Sequence, residues 1–135
     1  MSASNQFAGF FEDIQVNPGD SVMINLWHFA INNTPTAIEV RIEWLPVPGG
    51  VEISRTPNST PSPGALYQNF SLTAAAPAGA GIARVVYAAQ SFGGSTNAQI
   101  NIDDFTVSGS TIPEPAGTIL LALGSLGLMS RRKRG

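Results

Sequence analysis

The side chains that most often perform enzyme chemistry are scarce in this sequence. Cysteine is absent, and His28 and Lys133 are the only histidine and the only lysine. Cysteine nucleophiles, thiolate zinc sites, iron–sulfur clusters and disulfides are therefore excluded, and a histidine-rich metal site cannot form within one chain. Only His28 is available to a Ser–His–Asp triad, and only Lys133 to a Schiff base. The sequence thus favours a protein that is not an enzyme.

Carboxylates are the remaining candidates for acid–base chemistry. Residues 1–110 contain eight acidic and three basic residues, which gives this part of the chain a formal charge of −5. Two carboxylates at a defined separation catalyse glycoside hydrolysis, but the spacing of these eight selects no pair. A glycoside hydrolase fragment therefore stays open only as an alternative. Nucleic acid is excluded as a partner, because three scattered arginines cannot neutralise a phosphate backbone.

The C-terminal residues differ in composition from the rest. Ala116–Ser130 is a run of fifteen uncharged residues. Four basic residues follow it at once, namely Arg131, Arg132, Lys133 and Arg134. A fifteen-residue helix is about 22 Å long, which is shorter than the hydrocarbon core of a bilayer, roughly 30 Å thick. Snorkelling of the arginine side chains and local thinning of the bilayer can make up this difference in length. Basic residues after a span place the C-terminus in the cytoplasm and the body outside. A buried helix of the body is the alternative.

A Pro-Glu-Pro segment precedes this apolar run. Pro113 and Pro115 resist helix and sheet because they lack N–H groups, and Glu114 resists transfer into lipid. The segment therefore stays extended and accessible at a membrane surface. With the apolar run and the basic cluster, residues 112–134 resemble the PEP-CTERM sorting domain of exopolysaccharide-producing Gram-negative bacteria.

This resemblance implies a partner and a location. The partner is exosortase, a membrane-embedded cysteine-type transpeptidase, which would recognise Pro113, Glu114 and Pro115 and cleave near them. Residues 116–130 would be a transient anchor in the inner membrane, and the four basic residues would hold the tail inside. The body would lie outside the cytoplasm and then reach the cell surface or the extracellular matrix.

The body, residues 1–110, shows the period-2 alternation of apolar and polar residues that is typical of β-strands. Strands are predicted at residues 7–16, 22–27, 38–44, 51–53, 66–73, 82–89 and 99–107. The prolines of Thr56–Gly64 predict a loop. Seven short strands separated by turns predict an all-β, jelly-roll β-sandwich, followed by a single C-terminal hydrophobic helix within residues 111–135.

Five short segments of the body resemble, in their order, the galactose-binding-like jelly roll of many carbohydrate-binding modules. They are Phe11-Glu12-Asp13, Val16–Asp20, Leu26-Trp27, Ala76–Ala80 and Ile102–Phe105. Such modules usually have another strand or two before the first of these segments. Residues 1–19 also lack the features of a signal peptide. We therefore expect an N-terminally truncated sequence.

The same resemblance implies a structural calcium ion where the first and last strands meet. Carboxylate and carbonyl oxygens would hold the ion, with Glu12 and Asp13 on one side and Asp103 and Asp104 on the other. One of the two late aspartates would then point inward and pair with Glu12 or Asp13 through the ion. The alternative is that these carboxylates are solvated strand ends or turn caps.

Trp27 is the candidate ligand-binding residue of the body. It is out of phase with Val22, Ile24 and Leu26, so it faces away from the core that they form. Flat aromatic rings stack on the apolar faces of sugars while polar neighbours bind the hydroxyl groups. The alternative is that Trp27 lies beneath a loop or in a second layer of packing. Trp44 is in phase with its strand and is predicted to be a core residue.

Three alternative functions of the body are open. It binds extracellular polysaccharide, it is a purely structural component of the envelope or biofilm matrix, or it is a fragment of a hydrolase. An outward aromatic strip that includes Trp27 would favour the first, and an ordinary polar surface the second. A cleft with two facing carboxylates would favour the third. His28, which lies beside Trp27, is expected to be a surface or partly buried residue with no catalytic or metal-binding role.

Overall fold

The computed structural model describes residues 2–4, 7–31, 36–91 and 97–109. These residues form eight β-strands: β1 (Ser2–Ser4), β2 (Phe7–Gln15), β3 (Ser21–Ala30), β4 (Thr36–Leu45), β5 (Ser54–Arg55), β6 (Gln68–Ala75), β7 (Ile82–Ser91) and β8 (Asn97–Gly109). The predicted sorting signal and hydrophobic helix lie outside the described residues. Within those residues, no helix has the length and hydropathy that a bilayer span requires.

The strands form two four-stranded sheets. One has the order β1-β8-β3-β6 and is called the β3 sheet; the other has the order β2-β7-β4-β5 and is called the β7 sheet. Neighbouring strands are antiparallel throughout. This is the strand order of a jelly roll, in which eight strands build two facing sheets. The predicted jelly-roll sandwich is confirmed, and β1 is a strand that the sequence did not reveal.

The core lies between the two sheets and follows the predicted alternation. Strand β3 buries every second side chain, beginning with Val22, Ile24 and Leu26. Strand β4 contributes the corresponding inward residues, and Trp44 is among the buried ones, as predicted. Each fully buried aliphatic side chain stabilises the folded state by about 1.5 to 3 kcal/mol relative to exposure.

The predicted strand at residues 51–53 is wrong. Val51 and Ile53 lie in a loop at one end of the sandwich and are exposed, and the short strand β5 begins only at Ser54. The loop turns through Gly49, whose φ of 70° is readily adopted by glycine. Apolar alternation misled the prediction here because these side chains point out from the end of the sandwich rather than into its core.

His28 is buried more deeply than the sequence suggested. Its side chain is in phase with the core residues of β3 and only 2% exposed. A hydrogen bond of 2.8 Å joins its Nδ1 to the hydroxyl of Tyr87, which lies on β7 in the opposite sheet. Burial lowers the pKa of His28, because the charged imidazolium is poorly solvated in the core. The pair links the two sheets by a polar contact that both partners satisfy.

Candidate functional site

The outer surface of the β3 sheet carries Trp27. Strand β3 turns Met23, Asn25, Trp27 and Phe29 away from the core, since its other side chains are buried. The Trp27 side chain is 41% exposed. It therefore lies on an open surface rather than beneath a loop. We call this surface the Trp27 face.

Polar side chains flank the indole on both neighbouring strands. Trp27 is opposite Asn69 of β6 on one side and Asp103 of β8 on the other. Side chains at such opposed positions have Cβ atoms about 4.5 to 5.5 Å apart. The Asn69 Nδ2 donates hydrogen bonds to the Asn25 Oδ1 at 2.9 Å and to the Leu26 carbonyl oxygen at 3.2 Å. These bonds orient the amide beside the indole.

A β-bulge in β8 directly follows the Asp103 carboxylate. The pairing of β3 with β8 shifts register between Asn25 and Trp27. Asp104 lies in this irregular stretch with a φ of 49°, and its N–H donates to the Asp103 Oδ1 at 2.9 Å. Asp103 precedes the shift and pairs with Trp27 in the same register that joins Ile100 to Ala30, so Asp103 and Trp27 share a face. The bulge changes the phase of the residues that follow Asp104.

A second aromatic pair continues the surface toward the end of β3. Phe29 follows Trp27 by two residues and therefore points to the same face. Its ring meets the ring of Tyr67 edge to face, with centroids 4.5 Å apart. Tyr67 is exposed. Neither residue was predicted from the sequence; the spacing of Phe29 from Trp27 was the available signal, whereas the position of Tyr67 depends on the pairing of β6 with β3.

This surface combines an exposed aromatic plane with hydrogen-bonding groups. An exposed indole offers an apolar plane, while Asn69 and Asp103 offer amide and carboxylate groups to hydroxyls. The outward residues of the next row, Asn25, Ser71 and Thr106, add further polar groups. Among the described residues, no lysine or arginine lies on this face.

The four predicted calcium ligands are distributed over both sheets. Glu12 and Asp13 lie on β2 in the β7 sheet, whereas Asp103 and Asp104 lie on β8 in the β3 sheet. Asp13 is held by Arg84 through two hydrogen bonds of 2.7 and 2.8 Å. Within the described ranges, no three His, Asp or Glu side chains are grouped as metal ligands. Calcium binding stays a prediction.

The three arginines of the body form ion pairs on the outer surface of the β7 sheet. Arg84 pairs with Asp13, and its guanidinium lies 4.4 Å from the ring centroid of Phe11. Arg41 lies between Glu39 and Glu43, at 3.0 and 2.8 Å. Arg55 pairs with Glu52 and is 3.8 Å from Glu43. The positive charges of the body therefore lie on the sheet opposite Trp27, where carboxylates neutralise them.

Replacing Asp13 with asparagine should lower the free energy of unfolding modestly at neutral pH and hardly at all in strong acid. The Arg84 guanidinium holds the pKa of the Asp13 carboxyl below its usual value of 3.8, so the stabilisation is present at neutral pH and lost as pH falls through the lowered pKa. Because the pair is partly solvated, we expect about 0.5 to 1 kcal/mol at pH 7. Denaturant titrations of Asp13→Asn and of the parent, at neutral pH and near pH 2, measure the difference. Glu12→Gln on the other face of β2 is the control, and a loss that persists unchanged at low pH would contradict the assignment.

The C-terminal residues match a known family. Residues 111–134 match the family described as the PEP-CTERM protein-sorting motif. The chain carries a PEP-CTERM sorting motif. The predicted motif residues Pro113, Glu114 and Pro115 and the basic cluster lie within this match. The resemblance inferred from the order of motif, apolar run and basic residues is thereby confirmed. A comparison with curated proteins finds no match for the chain.

The body is similar in fold to three solved structures. The enzymatically active domain of tailspike protein 4 of bacteriophage CBA120 is 20% identical with a TM-score of 0.59, covering 76% of this chain and 14% of that one. A structure described as CBM4 is 22% identical with a TM-score of 0.54, covering 76% of this chain and 61% of the other. Family 16 Carbohydrate Binding Module-2 is 13% identical with a TM-score of 0.58, covering 78% and 72%. These likenesses establish the fold, and two of the three structures are carbohydrate-binding modules.

Proposed function

We propose that this chain is an exported surface or biofilm-matrix protein that exosortase sorts and cleaves, and whose body binds extracellular polysaccharide. The sorting part rests on the PEP-CTERM match at residues 111–134. The binding part rests on Trp27, which is exposed between Asn69 and Asp103 on the outer surface of the β3 sheet. Sorting places the body outside the cytoplasm, where polysaccharide is available to it.

The tail has the physical properties that such sorting requires. The run of fifteen uncharged residues, 116–130, suits a short membrane anchor, and the basic cluster after it suits retention of the tail in the cytoplasm. The Pro-Glu-Pro segment stays at the outer surface, where a membrane-embedded transpeptidase can reach an extended backbone. The chain is in this role a substrate rather than a catalyst.

The sorting proposal is tested by the mass and location of the mature protein. The full gene is expressed in a host with exosortase and in one without it. We expect a mass loss that corresponds to removal of the tail near Pro113–Pro115, only in the first host. An uncleaved chain in the inner membrane of both hosts would mean that residues 116–134 are an ordinary anchor, and sorting by exosortase would be rejected.

The charge distribution favours a neutral polysaccharide. An acidic sugar needs a basic partner, and the described Trp27 face contributes only carboxylate, amide and hydroxyl groups around its aromatic rings. The body's arginines, Arg41, Arg55 and Arg84, are all paired with carboxylates on the opposite sheet. Uronic acids would meet Asp103 as a like charge. Hydroxyl groups of a neutral sugar can instead donate hydrogen bonds to this carboxylate.

Binding is tested with the full chain in detergent against soluble neutral and acidic polysaccharides by calorimetry. We expect saturable binding to at least one neutral polymer and little or none to polyuronates. Preference for the acidic polymers would reject the neutral class. An absence of binding to every polymer would leave the purely structural role, in which the body has no ligand.

The geometry gives hydrolysis less support than binding. Four carboxylates are paired with arginines, namely Asp13, Glu39, Glu43 and Glu52. Two clefts of the described body, one bordered by residues 9–11 and the other by residues 15–17, have no aspartate or glutamate in their lining. Hydrolysis needs two carboxylates that face each other across a substrate.

A further inference from the structure

One end of the sandwich carries exposed apolar residues close to the point where the chain leaves toward the sorting motif. Strand β8 ends at Gly109, opposite Val22 near the start of β3. Three connections lie at this same end, because β2, β4 and β6 end there and β3 and β7 begin there. They are residues 16–20, 46–53 and 76–81, which together we call the basal end.

Backbone hydrogen bonds join the three connections into one unit. The Val16 N–H donates to the Gly81 carbonyl at 3.1 Å, and the Gly81 N–H donates to the Leu45 carbonyl at 2.9 Å. The Gly19 N–H donates to the Ala76 carbonyl at 2.8 Å. The basal end is therefore a preformed surface, and its side chains need little further ordering to meet a partner.

Two valines of this surface are strongly exposed. Val51 is 87% exposed and Val47 is 56% exposed, in a connection that also contains two prolines. The acidic residues of the basal end are engaged within the protein. The Asp20 Oδ2 accepts a hydrogen bond from the Asn17 N–H at 2.7 Å, and Glu52 pairs with Arg55.

The sorting signal determines what this end faces. Six residues, 110–115, separate Gly109 from the apolar run, and fully extended they reach about 20 Å. A body anchored through residues 116–130 therefore keeps its basal end next to the bilayer. Tethering of this length gives an effective concentration in the millimolar range, so even the partial burial of two valine side chains is sufficient for contact.

We propose that the basal end docks on the outer surface of the membrane that holds the sorting signal, with Val47 and Val51 in the lipid interface. The inference rests on the proposed function, because the anchored tail supplies the membrane. Docking in this orientation holds the Pro-Glu-Pro segment at the bilayer surface before cleavage. It also leaves Trp27 clear of lipid, since Trp27 lies six residues along β3 from Ser21, about 20 Å from the basal end.

The absence of native cysteines allows a direct test with single labelled positions. Val51→Cys places a probe on the basal end. Leu66→Cys is the matched control, because Leu66 is also apolar and exposed, at 80%, but precedes the start of β6 at the opposite end. Each full chain is labelled with the same environment-sensitive fluorophore and reconstituted into vesicles of phosphatidylethanolamine and phosphatidylglycerol. Some vesicles contain lipids with a nitroxide quencher at the headgroup.

We expect the probe at position 51 to be quenched at least threefold more strongly than the probe at position 66, with a blue-shifted emission. Equal quenching at the two positions, in chains that float with the vesicles, would overturn the docking proposal and leave the anchor intact. Chains that do not float with the vesicles at all would reject the membrane anchor, and docking would fall with it. Circular dichroism of each variant verifies that the fold is retained.

Discussion

Replacing Trp27 with alanine is expected to weaken binding of a neutral polysaccharide by about 30-fold or more. Aromatic anchors at binding surfaces commonly cost about 2 kcal/mol or more when truncated, and each 1.4 kcal/mol is about tenfold in affinity. Alanine removes the apolar plane on which a sugar ring would stack, while Asn69 and Asp103 keep their positions on β6 and β8. Calorimetric titration of Trp27→Ala and the parent with the same polymer measures the loss.

Met23 provides a matched control for this substitution. It lies on the same strand and the same face, and it is 42% exposed against 41% for Trp27, but it has no ring. Met23→Ala should change the affinity less than twofold, and Trp27→Tyr should retain part of it. Equal losses for Met23→Ala and Trp27→Ala would show that the effect is not one of stacking. Unchanged binding by Trp27→Ala would mean that the ligand binds elsewhere.

Much of the fold could be predicted because alternation along one strand is a local property. The phase of Val22, Ile24 and Leu26 defined the core side of β3 and thereby turned Trp27 outward. The same phase already placed His28 on the core side. The sequence alone nevertheless predicts a surface or partly buried position for His28, and a polar ring is costly to bury without a partner. That partner, Tyr87, lies 59 residues away in the other sheet and is revealed only by the packing.

The candidate site was less predictable because it is assembled across strands. Asn69 and Asp103 flank Trp27 only because β6 and β8 pair with β3 in a particular register, and on β8 this register changes at the bulge directly after Asp103. A one-residue shift in register would turn these side chains to the opposite face. The sorting motif could be predicted more easily, because its residues are continuous in the sequence and it is recognised by the order of its three parts.

Charge is distributed unequally over the two outer surfaces of the sandwich. The β7 sheet carries several arginine–carboxylate pairs, whereas the Trp27 face combines aromatic rings with amides, hydroxyls and the Asp103 carboxylate. Ion pairs on an exposed sheet add little stability, but they keep that surface solvated and unlike a sugar-binding surface. The two faces of the same fold can therefore have different partners.

Replacing Tyr87 should destabilise the protein far more than breaking the ion pair between Asp13 and Arg84. The Tyr87 ring is fully buried, and Tyr87→Ala is expected to cost about 3 to 5 kcal/mol, as for other large core truncations. Tyr87→Phe keeps the ring but leaves the His28 Nδ1 without its hydrogen bond, which should cost about 1 to 3 kcal/mol. Replacing both partners, with His28→Leu and Tyr87→Phe together, should be less destabilising than the sum of the two single changes. The parent, His28→Leu, Tyr87→Phe and the double variant form a double-mutant cycle, which denaturant titrations at neutral pH measure. The same titration is made for Tyr87→Ala.

Because His28 is buried, the parent protein should become less stable in mild acid. In the unfolded chain His28 binds a proton with a pKa near 6.5, whereas burial lowers its pKa in the folded state. Above that pH both states are neutral at this residue and stability does not depend on it. Below it the unfolded state binds more protons, so the free energy of unfolding falls as pH decreases, by up to about 1.4 kcal/mol per pH unit for one proton. Denaturant titrations between pH 7 and pH 5, where most carboxylates stay ionised, isolate this dependence. The double variant should lack it, because it has no histidine left to titrate, and a parent protein whose stability is constant over this interval would contradict the buried, neutral state of His28.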